Sequence, residues 1–182
     1  MTAAVDRRRN VVLTGFMATG KSTVGRLLAD RLGYGFVDTD AVIESRRGPI
    51  PQIFAEHGEG EFRRLERELA TELAARRGLV IATGGRMLVD PDNAEVLGAT
   101  GTVVCLTAPA DTVIARVLAD GVEGRPMLVG SDLPTRIRGL LAERESAYRR
   151  FTQVDTDDRS PIEVCEAVLE VVEARSDGAV PS

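Results

Sequence analysis

The sequence predicts an α/β domain built on an open sheet of parallel strands joined by right-handed helical crossovers. Three observations carry this expectation. Short, continuously apolar segments bounded by turn residues recur along the chain, as in strands covered on both faces. Stretches of helical period lie between them. The first apolar segment also runs straight into a glycine-rich loop and then a helical run, the order of a phosphate-binding strand, loop and helix.

The elements follow in order. Residues 10–14 form the first strand, and 24–32 form the first helix, after the loop. A short strand at 35–37 leads to Asp38-Thr39-Asp40 and a helix from Ala41 onward. In EGEFRRLERELATELAARR, Phe62, Leu65, Leu69 and Leu73 recur at steps of three and four, one apolar stripe on a long charged helix. Residues 79–82 make a buried strand that ends in Gly84-Gly85-Arg86. Asp90-Pro91 opens another helix, and strands are expected at 102–106 and 153–155. Ser160-Pro161-Ile162-Glu163 combines a serine cap, proline at the first helical position and glutamate three residues after the cap, so a final helix starts there. Between these elements, 119–132 is rich in glycine around Arg125-Pro126, and the residues alone leave open whether it is a plain loop or a lid.

Composition narrows the function. At 182 residues, 43% hydrophobic and 28% charged, the chain has the size and balance of one globular domain. The expected layout is a flexible arm at 1–9, a single domain at 10–174 and a tail at 175–182. No apolar run approaches the ~20 residues of a membrane span, and MTAAVDRRRN lacks the apolar core of a signal peptide, so a cytoplasmic protein is expected. A net charge of −5 argues against nucleic acid as a partner. Cys105 and Cys165 lack metal-ligand spacing and read as reduced core residues, while His57, just before Gly58 at an expected helix end, reads as an exposed or capping residue. With no long exposed apolar stripe, a monomer is expected. Lysine occurs once, at Lys21, among 23 basic residues, which singles out that position as one needing a compact ammonium.

Lys21 stands inside Gly15-Phe16-Met17-Ala18-Thr19-Gly20-Lys21-Ser22-Thr23, which fits GxxxxGK[ST], the P-loop pattern. The backbone N–H groups of Gly15, Ala18, Thr19, Gly20 and the helix start curl around phosphate oxygens. Lys21 reaches the β- and γ-phosphates, and Ser22 ligates Mg²⁺. No NKxD guanine motif is present, and motor ATPases need larger domains, so a small kinase using ATP is favoured. At the end of the second strand, Asp38 and Asp40 alternate and so point the same way, into the cleft where open α/β sheets bind ligands. One carboxylate would hold Mg²⁺ through water, and the other would accept a bond from a substrate hydroxyl. The residues leave open a plainer role for Asp40 as a helix cap.

These motifs together resemble the shikimate kinase family. The resemblance is carried by GFMATGKSTVGRLLADRLG, FVDTDAVIE, IPQIFAEHGEGEFRRLERE, VIATGGR, GRPML, LLAERESAYRR and VDTDDRSP, spread over residues 10–172. It implies a three-layer P-loop kinase fold with a five-stranded parallel sheet flanked by helices, and a lid at about 119–132. It implies transfer of the γ-phosphoryl group of ATP to the 3-hydroxyl of shikimate. By the same resemblance, Asp38 helps hold Mg²⁺, Asp40 binds the reacting hydroxyl, Arg63 and Arg144 grip the substrate carboxylate, and Gly84 and Gly85 approach its ring. Arg125 swings in with the lid, while Arg116 and Arg159 lie near the adenine. The other helix arginines, Arg64, Arg67, Arg149 and Arg150, are expected on solvated faces.

Two positions depart from the family pattern. Its Pro-Leu-Tyr is Ser146-Ala147-Tyr148 here, and its third consecutive glycine is Arg86. Arg86, counted among the residues around the substrate, has three readings: turned outward with shikimate binding intact, an extra fork for a different or more anionic acid, or an obstruction. The alternative functions are therefore a kinase of another hydroxylated acid and a nucleotide-binding regulatory module without turnover.

Overall fold

The computed structural model describes residues 9–120 and 132–177. The elements are β1 (Asn10–Gly15), α1 (Lys21–Leu32), β2 (Gly35–Asp38), α2 (Thr39–Arg47), α3 (Ile50–Ala74), β3 (Leu79–Ala82), a 3₁₀ turn (Met87–Val89), α4 (Pro91–Thr100), β4 (Gly101–Thr107), α5 (Ala110–Asp120), α6 (Leu133–Tyr148), β5 (Thr152–Asp155) and α7 (Pro161–Asp177). Every expected strand is present, most of them a residue longer at one end or both. The five strands lie in the order β2-β3-β1-β4-β5, all parallel. Parallel pairing brings every strand's carboxyl end to one edge, with Gly15 beside Leu106 and Asp38 beside Ala82.

β1 is central and buried along its whole length. Its alternation serves two layers of helices. Val11 and Leu13 pack with Val24 and Leu28 of α1 and with Val164 and Val168 of α7. Val12 faces the opposite layer, where the predicted stripe of Phe62, Leu65, Leu69 and Leu73 on α3 meets Ile81, Leu97 and Val103. A third cluster joins Phe16, in the loop after β1, to Cys105, Val113, Val117, Ile137, Leu140 and Tyr148, and so ties that loop to α5 and α6. Both cysteines are buried and free.

Local chemistry sets the boundaries. Asp90 caps α4 by accepting from the Asp92 N–H. Ser160 and Glu163 exchange hydrogen bonds at the start of α7, the reciprocal cap that their spacing predicts. α3 begins at Ile50, and it is broken at Gly58, the expected helix end, where the backbone is non-helical (φ 79°, ψ 171°). His57 stands at this break with its side chain largely exposed. α7 continues to Asp177, into the stretch expected as a tail, and Ala119 and Asp120 complete α5 rather than opening a lid. Among the described residues no helix is long and apolar enough to cross a membrane. Arg125 and the centre of the expected lid lie outside the described residues.

Candidate active site

The loop between β1 and α1 is shaped by its backbone. Gly15 has φ +130°, and a Cβ there would stand 2.2 Å from the Leu106 carbonyl oxygen, so no side chain fits. Ala18 and Gly20 also take positive φ, which turns successive N–H groups toward one concavity. The buried Thr19 hydroxyl donates to the Phe16 carbonyl at 2.8 Å, and Lys21 Nζ donates to the same oxygen at 2.7 Å. Burial pulls the Lys21 ammonium down to about 8, against the attraction of Asp40 and Asp38. Ser22 Oγ donates to Asp38 Oδ2 at 2.6 Å.

The two aspartates divide their labour. Asp38 Oδ1 accepts from the N–H groups of Asp40 and Ala41, so the cap of α2 is Asp38. Asp40 is left without that duty, and its Oδ1 is buried with no hydrogen-bond partner. Gly84 explains how the carboxylate lies so close to the chain, since a Cβ there would come 2.5 Å from Asp40 Oδ1. The Gly84 N–H donates to Thr39 Oγ1 at 2.9 Å, which fixes the end of β3 against the start of α2. Burial, with Asp38 adding to it, pushes the Asp40 carboxyl up to about 6 against the pull of Lys21.

Two arginines line this part of the fold in different electrostatic settings, Arg63 acting on the Asp40 carboxylate and Arg144 lying by Gly85. Arg63 is held by two acids: Nη1 donates to Glu66 at 2.6 Å, while Nε and Nη2 donate to Glu59 at 3.1 and 2.9 Å. Arg144 is 3% exposed, its guanidinium carbon lies 5.3 Å from the centre of the Phe16 ring, and its Nε is buried without a partner. Among the described residues no carboxylate is within ion-pair distance of it. Gly85 is close by, with its Cβ direction 3.4 Å from Arg144 Nη1, and its carbonyl accepts from the Tyr148 hydroxyl.

Arg86 lies at the rim. Its Nη1 is 3.3 Å from Glu59 Oε1 and 3.8 Å from Glu143 Oε1. The side chain therefore extends toward α3 and α6, beside a 630 Å³ cleft lined by Glu59, Arg63, Arg67 and Arg86.

On the other side of the loop, a cavity of 280 Å³ is lined by Ala18, Gly20, Thr23, Arg116, Thr156, Arg159 and Pro161. Arg116 spans it, donating to the Ala18 carbonyl at 3.2 Å and to the Thr156 carbonyl at 2.8 Å. Arg159 is fastened to the Asp155 and Glu163 carbonyls.

Several contributors escaped the sequence reading. Glu66, only 1% exposed, is the most buried charged one, and burial pushes its carboxyl up to about 7 against Arg63. Its signal was present, because an acid on the apolar stripe beside Leu65 and Leu69 needs a partner. Glu59, Phe16, Thr39, Tyr148 and Thr156 carried no comparable signal. Of the arginines expected on solvated faces, Arg64, Arg67 and Arg149 pair with surface acids, whereas Arg150 donates to the Leu88 carbonyl at 3.0 Å and pins α6 to the 3₁₀ turn.

A phosphate cradle with its lysine, flanked by an unpartnered carboxylate on one side and a nucleoside-sized cavity on the other, defines a P-loop phosphotransferase. A model of the shikimate kinase family matches residues 17–173. A shikimate kinase of Geobacter sulfurreducens is 46% identical over 154 residues, 84% of each chain, and one of Symbiobacterium thermophilum is 42% identical over 171 residues, 92% of this chain and 98% of the relative. The solved shikimate kinase from Acinetobacter baumannii in complex with shikimate superposes with a TM-score of 0.87 at 34% identity, covering 96% of this chain and 98% of that one. The chain belongs to the shikimate kinase family, enzymes that use ATP as phosphoryl donor.

Proposed function

We propose that the protein transfers the γ-phosphoryl group of ATP to the 3-hydroxyl of shikimate, as a cytoplasmic step toward the aromatic amino acids. The observation that carries this reading is the pair of unsatisfied buried groups in one cleft: Arg144 with no acid beside it, and Asp40 with an orphaned Oδ1. A buried cation without a counter-charge is costly until an anion arrives, and a lone carboxylate oxygen suits a hydroxyl donor. A small acid bearing hydroxyl groups answers both.

The chemistry asks for positioning more than covalent help. The loop N–H groups and Lys21 hold the transferring phosphoryl group. Arg63 and Arg144 grip the acceptor carboxylate and so aim its hydroxyl. Asp40 accepts that hydroxyl's hydrogen bond and then its proton as the new O–P bond forms and the bond from the γ-phosphorus to the bridging oxygen breaks, releasing ADP. With its pKa near 6, Asp40 is mostly ionised yet still basic at neutral pH. Arg116 and Arg159 are assigned to the adenine.

Ser22 and Asp38 fit Mg²⁺. They are paired oxygen donors at the mouth of the cradle, and magnesium is usually held by one or two protein oxygens together with substrate phosphates. When bound there, the ion would neutralise charge developing on the β- and γ-oxygens.

Arg86 is already matched by Glu59 and Glu143, so it adds no free cation to the cleft, and the reading as a kinase of a more anionic acid loses its motive. The test is coupled ADP release with Mg-ATP and separate additions of shikimate, quinate and gluconate. Shikimate-dependent release is expected, with Arg144→Met raising the KM for shikimate on the order of 10²-fold. Turnover on quinate or gluconate but not shikimate would falsify the assignment.

A further inference from the structure

Arg63 is over-supplied with acid. Its donors are divided between Glu66 and Glu59, so two carboxylates surround one guanidinium. To offer a fork to an incoming carboxylate, Arg63 must loosen from one of them. Glu66 is buried and has no other cation within ion-pair distance among the described residues, whereas Glu59 is half-exposed and has one. Left alone, Glu59 would stand as a bare negative charge beside the arriving anion.

The second cation is Arg86. Its Nη1 lies 3.3 Å from Glu59 Oε1, the same oxygen that accepts from Arg63 Nε and Nη2. The same nitrogen lies 3.8 Å from Glu143, the residue directly before Arg144 on α6. One guanidinium thus bridges α3 and α6, the two helices that carry the substrate arginines. Its root is firm. The neighbouring Gly85 carbonyl accepts from Tyr148, the Arg86 carbonyl accepts from the Val89 N–H at 3.0 Å, and its φ of −109° suits any residue. Arg63 foremost, with smaller contributions from Arg86 and Arg144, holds the Glu59 carboxyl below its usual range, so it stays ionised and in need of a counter-charge.

We propose that Arg86 is a positioning residue for acceptor binding: it takes over Glu59 when Arg63 turns to the acceptor carboxylate, and steadies α3 against α6 as it does so. The inference rests on the acceptor reading above. Arg86 touches neither phosphate nor reacting hydroxyl, and it acts on affinity through Arg63.

Steady-state kinetics on the full chain test this with Arg86→Met, Arg86→Lys, Glu59→Gln and the double variant Glu59→Gln/Arg86→Met. Arg86→Met is expected to raise the KM for shikimate roughly three- to fivefold, the size of a half-exposed ion pair, with kcat and the KM for ATP unchanged. The difference shrinks as salt is raised, and Arg86→Lys recovers much of it. In the Glu59→Gln background, Arg86→Met adds nothing further, because no charge is left to hand over. An unchanged KM in Arg86→Met, strictly additive effects in the double variant, or equal losses toward both substrates together with a lowered Tm would each overturn the proposal. If the native chain turns over shikimate while Arg86→Met matches it, only this inference falls. If the native chain does not use shikimate, the acceptor reading falls and takes this one with it.

Discussion

Asp38 and Asp40 show how little separates two identical side chains. They are two residues apart on the same edge, yet one caps a helix and pairs with Ser22, while the other keeps an orphaned oxygen and a raised pKa. The sequence pattern supplied both carboxylates, but alternation on a strand does not relate them, since Asp40 lies in the first turn of α2, and the capping option falls to Asp38, which holds the extended backbone before that helix. The raised values have a testable sign. Asp40 near 6 and Glu66 near 7 bind protons more tightly in the folded state than in the unfolded one. They therefore favour folding at low pH, and that contribution is lost as pH rises through about 6 and about 7. Without nucleotide, acceptor or metal, Asp40→Asn should melt above the native protein at pH 8, and this advantage should vanish at pH 4. Turnover should fall roughly 10²- to 10⁴-fold in the same variant, since its amide cannot take the proton. A native-like melting temperature at pH 8 would mean that burial is not what raises Asp40.

Helices and strands were the most legible elements. The stripe on α3, the reciprocal cap of α7 and the aspartate cap of α4 are local patterns, and each appears where its residues predict. His57-Gly58 reads as a helix end, and the backbone does leave helical geometry at Gly58; that a second helical stretch resumes directly after it is decided by packing. Asn10 was read simply as the start of a strand, but it is a fully buried joint. Its Nδ2 donates to the Leu73 carbonyl at the end of α3 and to the Arg76 carbonyl just past it, and its Oδ1 accepts from the Leu79 N–H at the start of β3. It thereby fastens the substrate-facing helix to the strand that delivers Gly84 and Gly85. Asn10→Leu strands those buried backbone groups and should cost roughly 2–4 kcal/mol in urea unfolding. A loss below about 0.5 kcal/mol, the level of an ordinary surface change, would show that water serves the groups as well.

The whole molecule is a device for convergence. Parallel strands in the order β2-β3-β1-β4-β5 bring Lys21, Asp40 and Gly84 to one edge, and α6 adds Arg144 beside Gly85. Among the described residues the large exposed hydrophobics are Leu118 on α5 and Ile162 on α7. Light scattering after size exclusion is expected to report the monomer mass of 19.5 kDa at micromolar concentration, and a stable mass of twice that would refute it. The sequence by itself determined the phosphate cradle, the strands, five of the seven described α-helices and the caps of α4 and α7, because backbone propensity, periodicity and short-range hydrogen bonds are settled within a few residues. Only the tertiary structure decided that Asp40 is the unsatisfied carboxylate, that Arg144 is buried without an acid, that Glu66 stands behind Arg63 and that Arg86 turns to Glu59 and Glu143. Each of these depends on burial or on a partner across the cleft, and neither is encoded in the spacing of neighbouring residues.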